Sequence, residues 1–364
     1  MLTVHDVREI LLNRDYSHST LTALLETNGE ALQTLFDEAE AYRRNVSGTR
    51  VYFRGLVELS NICAKDCFYC GVRCSNRSVQ RYTLSLEEVV EAARFAHRNG
   101  FASMVLQSGE RADKRFVDMV AELLQAIHIA TRGELHITLS MGEQSRETFQ
   151  RWYDLGAHRY LLRIEASVPD LYLRLHPEDG KHRYEHRIES LHLLKDIGYQ
   201  TGTGVMIGLP FQDTAHLASD LLFFRELDID MVGMGPYIEH DQTPLFQYRH
   251  LIPSTEERFW LSMKMVAILR LMMPDINIAA TTAMQAIREG GREFALKVGA
   301  NVVMPNLTPT RYRENYLLYK DKPGTAQDAE DTTENLTRMI HAARLEVALG
   351  EWGDSTHYQK RLIQ

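Results

Sequence analysis

From about residue 50 onward, short β-prone apolar runs alternate with amphipathic stretches of helical period. Eight such runs stand at 51–58, 103–107, 135–140, 158–164, 201–207, 229–235, 275–281 and 301–304, with helical patterns between them that include 86–99, 113–130, 184–197, 214–227, 255–272 and 288–298. Strands separated by helices cannot pair as hairpins. Each return to the sheet runs through a helical crossover, so the strands lie parallel. Eight units over roughly 250 residues predict an α/β fold, a (β/α)8 TIM-type barrel; an open doubly wound sheet is the alternative. Val7, Ile10, Leu11, Leu21, Leu24 and Leu25 recur at helical spacing. The chain therefore divides into an N-terminal helical segment, 1–48, and a barrel with C-terminal helices, 49–364. A barrel of this kind carries its chemistry at the C-terminal ends of the strands and in the loops that follow.

All four cysteines lie just beyond the first predicted strand, at Cys63, Cys67, Cys70 and Cys74. A disulfide framework would spread its cysteines to close long loops. Four thiols in one short segment point instead to metal or cluster binding. The C-x3-C-x2-C spacing of Cys63, Cys67 and Cys70 supplies three thiolates from one loop. Iron–sulfur clusters normally take four. Three leave one iron free to bind a substrate, as catalytic zinc keeps an open position. A zinc knuckle of all four cysteines is disfavoured because no second pair stands at zinc-finger spacing. Cys74 is read as a non-ligand, since a fourth thiolate would close the open iron. The balance of the chain fits this setting. Net charge is −8, hydrophobic content 44% and charged content 25%, which disfavours a general nucleic-acid binder. No apolar run approaches membrane-spanning length. Asp6, Arg8 and Glu9 interrupt the N-terminus early, so a secretory signal is not expected and the reading is cytoplasmic.

Polar groups gather where the strands should end. The second strand runs into Ser108-Gly109-Glu110. Along the fourth, Leu161, Arg163 and Glu165 share one face, and Tyr160, Leu162 and Ile164 the other. The apolar set should pack under the helices. Arg163 and Glu165 should face the barrel interior, where burial is costly unless each charge is paired, either by a ligand or by the other. Arg187 opens a helical pattern and suits a carboxylate, or else lies on a solvated face. Gly202, Gly204 and Gly208 do not make a dinucleotide fingerprint, because they sit inside a strand pattern. Small residues at alternate positions there would make room for a ligand in the barrel mouth. Thr281 and Thr282 end the seventh strand, and Tyr312, Tyr316 and Tyr319 follow the eighth.

The cysteine spacing with Tyr69 before the third cysteine resembles the radical S-adenosylmethionine (SAM) superfamily. Ser108-Gly109-Glu110 resembles its GGE motif, with Ser108 in place of the first glycine. Over nearly the whole chain the sequence is similar to one branch, the [FeFe]-hydrogenase maturase HydE family, near biotin synthase and methylornithine synthase. The carriers are SNICAKDCFYCG, VLQSGE, TLSMGE (138–143), RYLLRIE (159–165), GLPFQ (208–212), DMVGMGP (230–236), ATTAM (280–284), GGRE (290–293), GANVVMPNLTP (299–309) and RYRENYLLY (311–319).

The resemblance implies one [4Fe–4S] cluster on Cys63, Cys67 and Cys70, and reductive cleavage of SAM to a 5′-deoxyadenosyl radical. It implies SAM contacts at Tyr69, Ser108, Glu110, Ser140, Glu165 and Arg187. It also implies a cavity lined by Arg163, Met231, Thr281, Thr282, Tyr316 and Tyr319, which would hold a small anionic iron–carbonyl–cyanide–cysteine complex. Other hydrogenase maturases and an electron donor are the implied partners. The cysteines that carry a second cluster in some relatives have no counterpart after Cys74, and Ile164 stands where some relatives have His. The alternatives are a methylornithine synthase-like or biotin synthase-like enzyme and, outside catalysis, a metal-cluster scaffold.

Overall fold

The computed structural model describes residues 2–363. Its twelve strands are β1 (Arg50–Phe53), β2 (Gly55–Ser60), β3 (Ser103–Ser108), β4 (His136–Ser140), β5 (Ala157–Leu161), β6 (Gln200–Thr203), β7 (Met206–Ile207), β8 (Met231–Val232), β9 (Gly235–Pro236), β10 (Asn277–Ile278), β11 (Val302–Val303) and β12 (Glu346–Val347). Seven form a parallel sheet in the order β10-β8-β6-β5-β4-β3-β2. The backbone of residues 278–307 closes it into a ring. Ala280 N donates to Val302 O at 2.9 Å, β11 pairs in parallel with β1, and Leu56 exchanges bonds of 2.7 Å with Pro305 O and Leu307 N. With both edges paired no open strand remains at the seam, and the fold is the expected (β/α)8 barrel.

Local sequence explains the layers. The helix Leu86–Arg98 starts in a capping box between Ser85 and Glu88 and buries Val89, Ala92, Ala93 and Ala96, one stripe at helical spacing. Small alanines let it lie close to the strands. Outward-facing Met104, Leu106, Ile137, Leu139, Tyr160, Leu162 and Ile164 fill the layer between sheet and helices and are almost wholly buried. Three helices, Val4–Asn13, His18–Glu26 and Gly29–Ser47, precede the barrel; Met1 lies outside the described residues. Leu21, Leu24 and Leu25 are buried as their spacing predicts.

Three of the predicted runs are broken: the 51–58 run becomes β1 and β2, interrupted at Arg54, and two more break at glycines. The 201–207 run becomes β6 and β7, and the 229–235 run becomes β8 and β9; β7 and β9 pair with each other outside the main sheet. These last two breaks fall where two backbones nearly touch. A Cβ on Gly204 would lie 1.9 Å from Gly233 O, and one on Gly202 would lie 2.8 Å from Met231 Cε. These glycines therefore make room for neighbouring protein atoms and not, as expected from their spacing, for a ligand.

The opposite end of the barrel is plugged by the C-terminal segment. Fully buried Arg159 binds Asp354 Oδ1 at 2.6 Å, Trp352 O at 2.6 Å and Ser103 Oγ at 2.6 Å. Arg54 and Asn277 both donate to Gly353 O. The interior therefore opens at the C-terminal ends of the strands, where the cysteines lie.

Candidate active site

The loop after β2 is rigidly held by its own polar atoms. Ala64 N donates to Glu110 O at 2.8 Å, Phe68 N to Leu175 O at 2.9 Å and Gly71 N to Leu318 O at 3.0 Å. The Arg81 guanidinium gathers four carbonyls, those of Asn61, Val72, Arg73 and Asn76, at 2.6–2.9 Å. This fixes the backbone and leaves Cys63, Cys67 and Cys70 half-buried in one another's field, while Cys74 is exposed. Burial pushes all three inner thiols up, Cys70 to about 12, with neighbouring cysteines adding to it. Such thiols ionise only when a cation takes the charge. Among the described residues, no three His, Cys, Asp or Glu side chains close round a single-ion site. A cluster asks for wider spacing, since each thiolate meets its own iron. The donor set fits an iron–sulfur cluster.

Beside the loop stands a compact charge network. Lys65 Nζ lies 3.0 Å from Glu110 and 2.8 Å from Glu143. Arg187 binds Glu143 through Nε, lies 3.6 Å from Glu110 and donates to Arg163 O at 2.6 Å. Arg187 is thus buried in an ion network and not on a solvated helix face. Burial opposes the Lys65 and Arg187 charges, but the two glutamates outweigh it and hold both cations above their usual pKa range. Burial raises Glu110, and Glu143 adds to that. Glu143 itself is held low by Arg187 and Lys65 despite its burial. Gly142 shapes this contact: its φ is +75°, and a Cβ there would lie 2.1 Å from Glu110 Cγ.

Tyr69 lies among Cys67, Glu165 and Arg187, its hydroxyl 3.4 Å from His176 Nε2. The Ser108 hydroxyl is turned to the Gly109 carbonyl at 2.7 Å, and Ser140 ends β4 half-buried. Arg163 and Glu165 face inward as alternation predicted, and they satisfy each other. The fork is bidentate, 2.9 Å on both arms, so no ligand is needed to pair these charges. Glu165 takes φ +67°, which swings it off the strand line toward the cysteine loop.

Within the barrel, Met231 Sδ lies 3.0 Å from Arg54 Nη1, and Thr281 Oγ1 lies 3.4 Å from Met234 O. Tyr316 is buried near Cys63 and Cys70, with Lys322 Nζ 5.3 Å from its ring centroid. Arg292 donates to Thr282 Oγ1 at 2.7 Å, and the buried Tyr319 hydroxyl beside it has no hydrogen-bond partner among the described residues. Sequence reasoning missed Lys65, Arg81, Glu143 and Arg292. Lys65 and Glu143 were visible only as members of quoted motifs, and nothing in the sequence joined them. Their pairing spans 78 positions.

Residues 57–224 match the radical SAM superfamily. The chain is 42% identical over 323 residues to the [FeFe] hydrogenase maturase subunit HydE of Thermotoga maritima, covering 88% of this chain and 89% of that one. The chain belongs to the HydE family of radical SAM enzymes. It is also 25% identical to the 3-methylornithine synthase of Methanosarcina barkeri over 90% of its length and 87% of the relative's. The crystal structure of methylornithine synthase (PylB) superposes with a TM-score of 0.77 at 22% identity, covering 98% of this chain and 99% of that one, a likeness of fold. Membership of the superfamily implies a [4Fe–4S] cluster and SAM as cofactors. Among the described residues no helix is long and apolar enough to cross a membrane.

Proposed function

We propose that this chain performs a HydE step in building the di-iron subcluster of [FeFe]-hydrogenase, acting on a small anionic iron–carbonyl–cyanide–cysteine complex. The near full-length relation to HydE carries the proposal. In this reading Cys63, Cys67 and Cys70 hold the chain's one [4Fe–4S] cluster, and Cys74 stays outside the set. Cluster and SAM together supply reductive cleavage of a C–S bond. The protein's own residues bind and orient. Arg187 holds the SAM carboxylate, Glu165 its amino group or ribose, Glu110 shares the ammonium, and Tyr69, Ser108 and Ser140 meet the remaining polar groups. Arg163, Met231, Thr281, Thr282, Tyr316 and Tyr319 line the substrate cavity.

The cavity chemistry supports a small anion over a long apolar substrate. Arg292 beside Thr282 is a second guanidinium, with no carboxylate at salt-bridge distance among the described residues. An unpaired guanidinium in an enclosed site favours an anionic partner. Other maturases and an electron donor are the expected partners.

The test is a host that makes the hydrogenase and its other maturases but lacks this function. Adding the wild-type chain should restore active hydrogenase, and the Cys67→Ala variant should not. Failure to rescue, with conversion of lysine to methylornithine by the purified protein, would replace this reading with the mutase alternative.

A further inference from the structure

Lys65, Glu110, Glu143 and Arg187 come from four separate segments: the cysteine loop, the ends of β3 and β4, and the helix Tyr184–Ile197. Their side chains are 8%, 14%, 4% and 8% exposed. Two cations and two carboxylates so enclosed cancel, and removing either partner of a buried pair strands the other. The two carboxylates are not equally held. Glu143 lies 2.8 Å from Lys65 and closer still to Arg187. Glu110 lies 3.0 Å from Lys65 and only 3.6 Å from Arg187. Its edge toward Arg187 is the loosest contact of the four. An α-amino acid end brings one ammonium and one carboxylate. It can enter at that edge if the ammonium goes to Glu110 and the carboxylate to Arg187. The four charges then become six, still neutral, provided that Lys65 stays on Glu143 and draws it from Arg187.

We propose that Lys65 and Glu143 are positioning residues for the amino-acid end of SAM, a counterion pair that frees Glu110 and Arg187 for the incoming ammonium and carboxylate. This rests on the assignment of SAM to Arg187 and Glu110 given above. Lys65 reaches its place because Ala64 N is fixed on Glu110 O and Cys74 N on Lys65 O, at 2.8 and 2.9 Å. The half-exposed His186 lies 3.8 Å from Glu143 at the network's edge, and His176 and His182 stand in the field of Lys65 and Arg187.

The experiment is a double-mutant cycle on cluster-reconstituted protein. It reads the SAM dissociation constant by equilibrium dialysis, and the change that SAM makes in the electron paramagnetic resonance spectrum of the reduced cluster. Lys65→Met leaves Glu143 and Glu110 to compete for Arg187, and should weaken SAM binding about tenfold; Lys65→Arg should keep most of the affinity. Lys65→Met combined with Glu143→Gln restores neutrality, and should recover affinity to within about threefold of wild type. A role in merely bracing the loop predicts the opposite, a double variant no better than Lys65→Met. That result, or an unchanged dissociation constant in Lys65→Met, overturns the proposal. Arg187→Ala serves as reference. If it binds SAM as wild type does, the SAM placement fails and this inference with it. If it weakens SAM while the cycle shows no recovery, only the Lys65–Glu143 role fails.

Discussion

Single side chains at the barrel mouth separate the cluster from its surroundings. Cys74 is exposed and belongs to the same loop as three half-buried thiols, so composition alone could not rank it. Anaerobically reconstituted protein should hold about four irons per chain. Cys63→Ala, Cys67→Ala and Cys70→Ala should each lose them, while Cys74→Ala should keep them by iron and sulfide analysis. An iron-free Cys74 variant would reverse the assignment. Arg187 gives the second expectation at this scale. Its guanidinium is enclosed and reaches three carbonyl or carboxylate groups. Arg187→Ala should weaken SAM binding by about 1.5–3 kcal/mol, the range for hydrogen bonds to charged groups, measured as a dissociation constant. The pair Arg163–Glu165 was legible as inward-facing from strand alternation. Their choice of each other over a ligand was not, because alternation gives a face and not a distance.

The C-terminal plug and the last helix are the elements with the clearest energetic signature. Arg159 is fully buried, and among the described residues its only carboxylate partner is Asp354 on the plug. Asp354→Ala should cost about 3–5 kcal/mol, the penalty for leaving a buried charge unpaired, and appear as a lower Tm. Asp354→Asn, which still accepts from Arg159 but carries no charge, should lose less than Asp354→Ala; a loss near zero in Asp354→Asn would show that the hydrogen bond and not the ion pair is what matters. The helix Thr356–Ile363 docks through His357, whose imidazole lies 3.2 Å from Asp275 and 2.7 Å from Asp228. The hydrogen bond to Asp275, with the charge of Asp228, raises its pKa above 6.5 despite burial. A group raised on folding stabilises fully below its unfolded value and loses that contribution as pH climbs through the folded one. Tm should therefore fall between pH 6.5 and the raised value more steeply in wild type than in His357→Asn. Parallel profiles would refute the docking role. The plug was not read from the sequence, since residues 350–355, Gly-Glu-Trp-Gly-Asp-Ser, carry no periodicity.

At the scale of the whole molecule, the parallel strands and the site at their ends are one consequence of the alternating pattern. Apolar runs and amphipathic helices left the chain no economical way to bury its core other than parallel strands under helices, so the α/β class and the placing of the chemistry at the strand ends were readable in advance, while closure into a barrel was decided by the pairings of residues 278–307. The cysteine spacing was readable for the same reason, being local: three thiols within eight positions stay together in any fold. What only the tertiary structure decided were the long-range pairings. Gly204 against Gly233 breaks two expected strands, Arg159 finds Asp354 across 195 positions, and Lys65 finds Glu143 across 78. Periodicity reports which face a residue takes, because the backbone repeat fixes it. It carries no information on which distant charge that residue meets, because that depends on how the closed ring sets one strand end beside another.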